Sequence, residues 1–217
     1  MRMFKLAAAA LAMAAPVAAP AATFILNGGS FQSVPADNDF QANLGALSLN
    51  GYVSGGATLG FALGAGETSG IIDLFYMGSE SGLVNTFNAT GNVGAVSYAE
   101  TNKAVFSPLY IGSVTFTSTI ASLGNAFNFL GGTPGAIGSN EFGIFVNRAK
   151  ISGNFDTLYF GYDDNGANPE DNHDDFIVRA VIRAVPEPGT WAMMISGFLL
   201  VGSLLRQRKS NGIPVLA

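Results

Sequence analysis

Ser113-Val114-Thr115-Phe116-Thr117-Ser118-Thr119-Ile120 alternates side-chain character one residue at a time. A period of two sends Val114 and Phe116, with Ser118 in phase, to one side and Thr115, Thr117 and Thr119 to the other. This is the pattern of a half-buried antiparallel strand. Working outward, the same kind of burst recurs at 47–50, 57–63, 72–76, 142–146 and 157–162. Turn residues separate the bursts: Asn27-Gly28-Gly29, Asn50-Gly51, Ser54-Gly55-Gly56, Gly78-Ser79, Gly131-Gly132-Thr133-Pro134-Gly135 and Asn165-Gly166. Each supplies the backbone freedom that a tight reversal needs. Roughly ten short strands at such spacing predict an all-β chain, an antiparallel β-sandwich of jelly-roll-like type in preference to a barrel. Residues 120–130 are the exception, with room for a helical turn.

The strand-rich part occupies residues 23–184, one domain's worth of chain. Between residues 23 and 185 five basic residues (Lys103, Arg148, Lys150, Arg179, Arg183) face fourteen acidic ones, a formal charge of −9. Nucleic acid is excluded as a partner on this count, because phosphate binding needs clustered cations. The chain has no cysteine, which removes disulfides, thiolate chemistry and cysteine-ligated metals. Its 17 phenylalanines, most of them in this part, are the expected core. No repeat of fixed period appears, and Thr115 to Thr119 is the one short run of alternating threonines, so an ice-binding β-helix is not supported.

Both ends read as addresses. Residues 1–22 carry Arg2 and Lys5, an Ala- and Leu-rich run, then Ala18-Ala19-Pro20-Ala21-Ala22, which is the order of a secretory signal peptide with cleavage after Ala21 or Ala22. Near the other end comes a Pro-rich break (Pro186, Glu187, Pro188), an apolar run that begins at Trp191, and a basic cluster of Arg206, Arg208 and Lys209. A run of about 15–17 uncharged residues is at the short end of what crosses a bilayer at ~1.5 Å per residue. Trp191 sits where an indole prefers the interface, and the cations sit where they stay cytoplasmic. Residues 190–205 are therefore expected to form a transmembrane helix that leaves the domain outside.

Pro186, Glu187, Pro188, Trp191, Ala192, Met193, Met194, Ile195, Gly197 and Phe198, continued by Gly202 and Arg206, resemble a PEP-CTERM sorting signal across 185–210. This kind of segment is also called an ice-binding protein C-terminal domain. The tail 211–217 is longer than usual for the signal and leaves the motif intact. The resemblance implies export from a Gram-negative bacterium by the secretion machinery and recognition by an exosortase. It further implies an inner-membrane-anchored intermediate, then a place at the cell surface or in the extracellular matrix, in association with exopolysaccharide and biofilm.

The remaining chemical candidate is the stretch from Gly161 to Phe176, which crowds Asp163, Asp164, Glu170, Asp171, Asp174 and Asp175 between two expected strands, with Asn165, Asn168 and Asn172 interspersed. Hard cations take such oxygens, and the possible calcium ligands are Asp163, Asp164, Asp171, Asn172, Asp174 and Asp175, with Ca2+ as the one cofactor implied. The EF-hand spacing is absent. The stretch is similar to acidic hairpins of secreted bacterial β-sandwiches, with His173 at a position that is usually acidic or aromatic. It reads equally as a solvated acidic turn without an ion.

His173 is the chain's single histidine. One histidine without cysteine builds no zinc set, and no Gly-x-Ser-x-Gly elbow offers a nucleophile. Paired carboxylates of a glycosidase remain open, yet nothing around Asp73, Glu80, Glu100 or Glu141 singles them out. The expectation is a non-catalytic structural or adhesive protein of the cell envelope or exopolysaccharide matrix. The alternative is a carbohydrate-binding module or carbohydrate-active enzyme that uses Tyr52, Tyr76, Tyr98, Tyr110 and Tyr159 as stacking platforms.

Overall fold

A computed structural model describes residues 21–100, 105–165, 172–183 and 188–210, the last of these with its side chains at 193–203 and 206. In chain order it forms β1 (Thr23–Asn27), β2 (Ser30–Ser33), a short helix α1 (Gln41–Ala46), β3 (Gly51–Ser54), β4 (Thr58–Ala62) and β5 (Gly70–Gly78). Next come β6 (Thr86–Thr90), β7 (Ala95–Ala99), β8 (Leu109–Phe116), β9 (Phe127–Leu130) and β10 (Gly135–Ala136). The rest are β11 (Phe142–Val146), β12 (Gly153–Phe155), β13 (Thr157–Tyr162), β14 (Phe176–Arg183) and the helix α2 (Pro188–Ser210).

The strands make a seven-stranded sheet in the order β2-β3-β11-β13-β14-β5-β8, a four-stranded sheet β10-β9-β6-β7 and a three-stranded sheet β12-β1-β4. Every strand pairing is antiparallel; β13 and β14 pair from Thr157↔Val181 to Tyr162↔Phe176. The large sheet packs its inner face on the two smaller ones, so the sheets are sandwich-like. Phe160 reaches both: its ring lies 6.4 Å from Phe24 of β1 and 5.3 Å from Phe127 of β9. Phe129 stacks on Tyr162 at 4.9 Å and meets Phe142 at 5.3 Å. These rings are fully buried and join one core cluster. At about 25 cal/mol per Å2 of apolar surface, such burial is the main stabilising term in a chain without disulfides.

The period-two reading of Ser113 to Phe116 holds: Val114 and Phe116 are buried and Thr115 is half-buried within β8, which pairs with β5. The strand ends at Phe116, and Ile120 rejoins the fold through a bridge to Phe61. A 3-10 turn at Gly124–Ala126 fills the helical turn expected at 120–130. Residues 47–50, expected as a strand, instead close α1 and turn into β3. The reason is a second apolar cluster on the outer face of the large sheet, where Phe40 and Leu44 cover Tyr52, Met77, Phe145 and Ile177, with Leu49 packed alongside. Of the leucine pair in alternation, Leu49 serves this lid and Leu47 stays exposed.

In α2 the described apolar side chains Met193, Met194, Ile195, Phe198, Leu199, Leu200 and Val201 are all exposed. Among the described residues no helix is long and apolar enough to cross a membrane. The expected signal peptide, save for its last residues Ala21 and Ala22, lies outside the described residues, as do Pro186, Glu187 and the tail 211–217. The side chains of Pro188, Trp191, Arg208 and Lys209 do too.

Candidate functional site

The acidic stretch meets the rest of the fold at one end of the large sheet, where β13 finishes, β14 begins and β5 finishes. Because β14 lies between β13 and β5, the residues just before it face the exits of both neighbours. Asp163, Asp164, Asn172, His173, Asp174 and Asp175 are all buried there. Asp171 lies outside the described residues.

Backbone amides orient the carboxylates. The Asp164 N–H donates to Asp175 Oδ2 at 2.7 Å and the Asp39 N–H to Asp174 Oδ2 at 2.7 Å. The Glu80 N–H donates to the Asp174 carbonyl at 3.2 Å, and Asn38 Nδ2 to the Asn172 carbonyl at 2.8 Å. Asp164 Oδ2 accepts from Asn85 Nδ2 at 2.8 Å and from the Ser81 hydroxyl, while Asp163 Oδ1 accepts from the Asn165 N–H at 3.0 Å. Thus the hairpin is fastened to the segment before α1 and to the β5–β6 connection.

His173 takes a left-handed backbone, φ 59°, costly for a residue with a Cβ. Its Nε2 donates to the Asn140 carbonyl at 2.8 Å and its ring lies 4.3 Å from that of Tyr52. Close to it stands Gly143, where a Cβ would come within 2.5 Å of the imidazole. The ring is a packed wedge.

The structure brings Asp174 and Asp175 together with Glu80, one carboxylate oxygen of each lying within 4.8 Å of the others. Asp163 and Asp164 turn to the partners named above. Burial pushes the Asp174 carboxyl up to about 8; the Asp39 amide offsets part of this, and Glu80, Asp175 and Asp39 add to it. Burial likewise pushes Asp175 up to about 7, against the Asp164 amide and with help from Asp164, Asp163 and Glu80. The charges acting on both are acidic, and removal from water penalises the ionised form most. Burial also raises the Tyr162 phenol, whose hydroxyl donates to the Thr133 carbonyl at 2.7 Å. Glu80 was named from the sequence only as a carboxylate without context. Asn38 and Asp39 were not named, and no signal in a turn-like stretch marks them.

A different region carries the tyrosines. Tyr52 and Tyr76 are buried, Tyr98 and Tyr159 half-buried, and Tyr110 is 53 % exposed. Cross-strand register sets Phe145, Tyr159, Arg179, Phe75 and Tyr110 in one row across the outer face of the large sheet. The Arg179 guanidinium lies 4.4 Å over the Phe75 ring, and Phe75 meets Tyr110 edge-on at 5.6 Å. Beside the row opens a cleft of about 280 Å3 lined by Leu49, Phe145, Lys150, Phe155, Thr157 and Tyr159, among others. No carboxylate lines it.

Compared with known proteins, the chain matches no family model, no curated protein and no solved structure.

Proposed function

We propose that the chain is an exported, non-catalytic, jelly-roll-like sandwich that serves a structural or adhesive role in the cell envelope or exopolysaccharide matrix. Its C-terminal segment hands it to an exosortase after an inner-membrane-anchored stage. The observation that carries this reading is α2, whose described apolar side chains, from Met193 to Val201, point to every side and are all exposed. A helix apolar all round requires lipid or protein around it, and it follows the Pro186-Glu187-Pro188 break. Export places the domain beyond nucleic acid, in keeping with its acidic charge. The test is replacement of Glu187 by Ala or Pro188 by Ala in the native exporting cell. The expected product is a longer, membrane-retained form; a mature mass equal to wild type would refute exosortase processing.

The aromatic row favours a second reading, a carbohydrate-binding face. Tyr159 to Tyr110 spans three strand spacings, roughly 14 Å, the length of a short oligosaccharide. Arg179 lies in its middle, its guanidinium over the Phe75 ring. Binding of the purified chain to the producing cell's own exopolysaccharide, lost on Tyr159→Ala with Tyr110→Ala, would establish it; equal binding would remove it.

A further inference from the structure

We propose that Glu80, Asp174 and Asp175 form a divalent-cation site suited to calcium, in which the ion ties the β5–β6 connection to the start of β14. Three carboxylates from two remote stretches of chain each bring an oxygen within 4.8 Å of the others. That spacing lets one ion of calcium's size touch all three at its usual 2.3–2.6 Å.

A second observation points at a ligand. Asp174 has no exposure to solvent, and while its Oδ2 accepts the Asp39 amide, its Oδ1 has no hydrogen-bond partner. A buried carboxylate oxygen without a donor is expensive, because its water is gone and nothing replaces it. The surrounding hydrogen bonds fix the group without using that oxygen: Asp39 holds Oδ2, and the Glu80 amide holds the Asp174 carbonyl. Asp175 is held the same way, through Oδ2 on the Asp164 amide. Both carboxylates are thus oriented through Oδ2, and Asp174 keeps an Oδ1 with no donor on it.

The donor set selects a hard cation. All ligands are carboxylate oxygens, no cysteine exists in the chain, and His173 next door directs Nε2 to the Asn140 carbonyl. Glu80 is only half-buried, which leaves a path for the ion and for the waters that complete six to eight ligands. Calcium tolerates such irregular geometry better than magnesium, which demands a near-ideal octahedron. The assignment goes beyond the sorting reading and is independent of it: failure of the Glu187 experiment would leave it untouched.

The test uses the full chain in detergent, stripped with a chelator and titrated with calcium chloride alone, then with magnesium chloride, by calorimetry and thermal melt. Expected is one calcium per chain and a rise in Tm of roughly 5–10 °C at a hundredfold excess over Kd. Glu80→Gln, at a half-buried position, should fold and lose at least tenfold in calcium affinity. Asp163→Asn keeps its oxygen for the Asn165 amide and should bind as wild type does. A wild-type melt that calcium does not move overturns the site, and so does Glu80→Gln binding as tightly as wild type. Loss of binding in Asp163→Asn with Glu80→Gln unaffected would transfer the ion to the loop carboxylates and overturn it equally.

Discussion

The aromatic interior and the acidic end are equally buried and are held by opposite means. Between the sheets, Phe160, Phe127, Phe129, Phe142 and Phe24 contact one another in several orientations, from 8° to 76° between planes when Tyr162 is included. Their attraction is proportional to area and indifferent to direction. At the end of the large sheet Asp174 and Asp175 instead each take a directed bond from one backbone amide, at 2.7 Å. Burial stabilises the first region and burdens the second. The comparison teaches that the sandwich needs its rings to fold, whereas the acidic end must be compensated for in order to stay folded.

The largest effect should come from the interior. Phe160→Ala removes the ring that touches both smaller sheets and should cost about 3–5 kcal/mol, measured by urea unfolding. A loss under about 1 kcal/mol would mean that the sheets hold together by strand pairing, and the contrast with the acidic end would dissolve.

Gly143→Ala comes next, since it acts where the two regions meet. The added methyl would stand 2.5 Å from the His173 ring, which already packs on Tyr52 at 4.3 Å. Overpacking of this kind costs about 1–3 kcal/mol. Smaller cost would show that His173 swings away, and that the wedge is not rigid.

How much of this was legible follows the same division. Alternation located β8, β13 and the part of β5 at 72–76, because a strand with one face on a core must alternate. It failed at 47–50, where Leu49 belongs to a lid, and said less about β11, whose five residues are all buried because that strand is covered on both faces. The acidic hairpin was legible as composition. Its completion by Glu80 was not, because it depends on β5 being the sheet neighbour of β14, and neither was its fastening by Asn38 and Asp39, contacts across more than 130 residues that no local pattern encodes.

A gentler probe is pH, because burial has pushed the carboxyls of the acidic end upward. Asp174 and Asp175 titrate at about 8 and about 7 in the folded chain, well above the ordinary value of 3.8. Between those limits the folded state binds more protons than the unfolded one. Stability without metal is thus full below about pH 4 as far as these groups are concerned, and declines as pH rises through 7 and 8. Melts in chelator should show Tm several degrees lower at pH 9 than at pH 5.5, each kcal/mol being worth about 2–4 °C in a domain of this size. Calcium at the site should flatten the decline, since the ion takes the place of the protons. A Tm that climbs from pH 5.5 to 9 in chelator would show that the carboxylates are stabilised as anions by the fold itself.

The smallest effect on stability is expected at the open end of the aromatic row, and it carries the most information about function. Tyr110 is half exposed and meets Phe75 only edge-on, so Tyr110→Ala should move stability within about 0.5–1 kcal/mol. If the row is a binding face, the same change should weaken retention on exopolysaccharide while the melt stays put, a separation that no interior ring can give. If retention is unchanged and stability falls by 2 kcal/mol or more, Tyr110 is a rim of the core. The outer face would then belong with the interior, and the adhesive role would have to reside elsewhere on the surface.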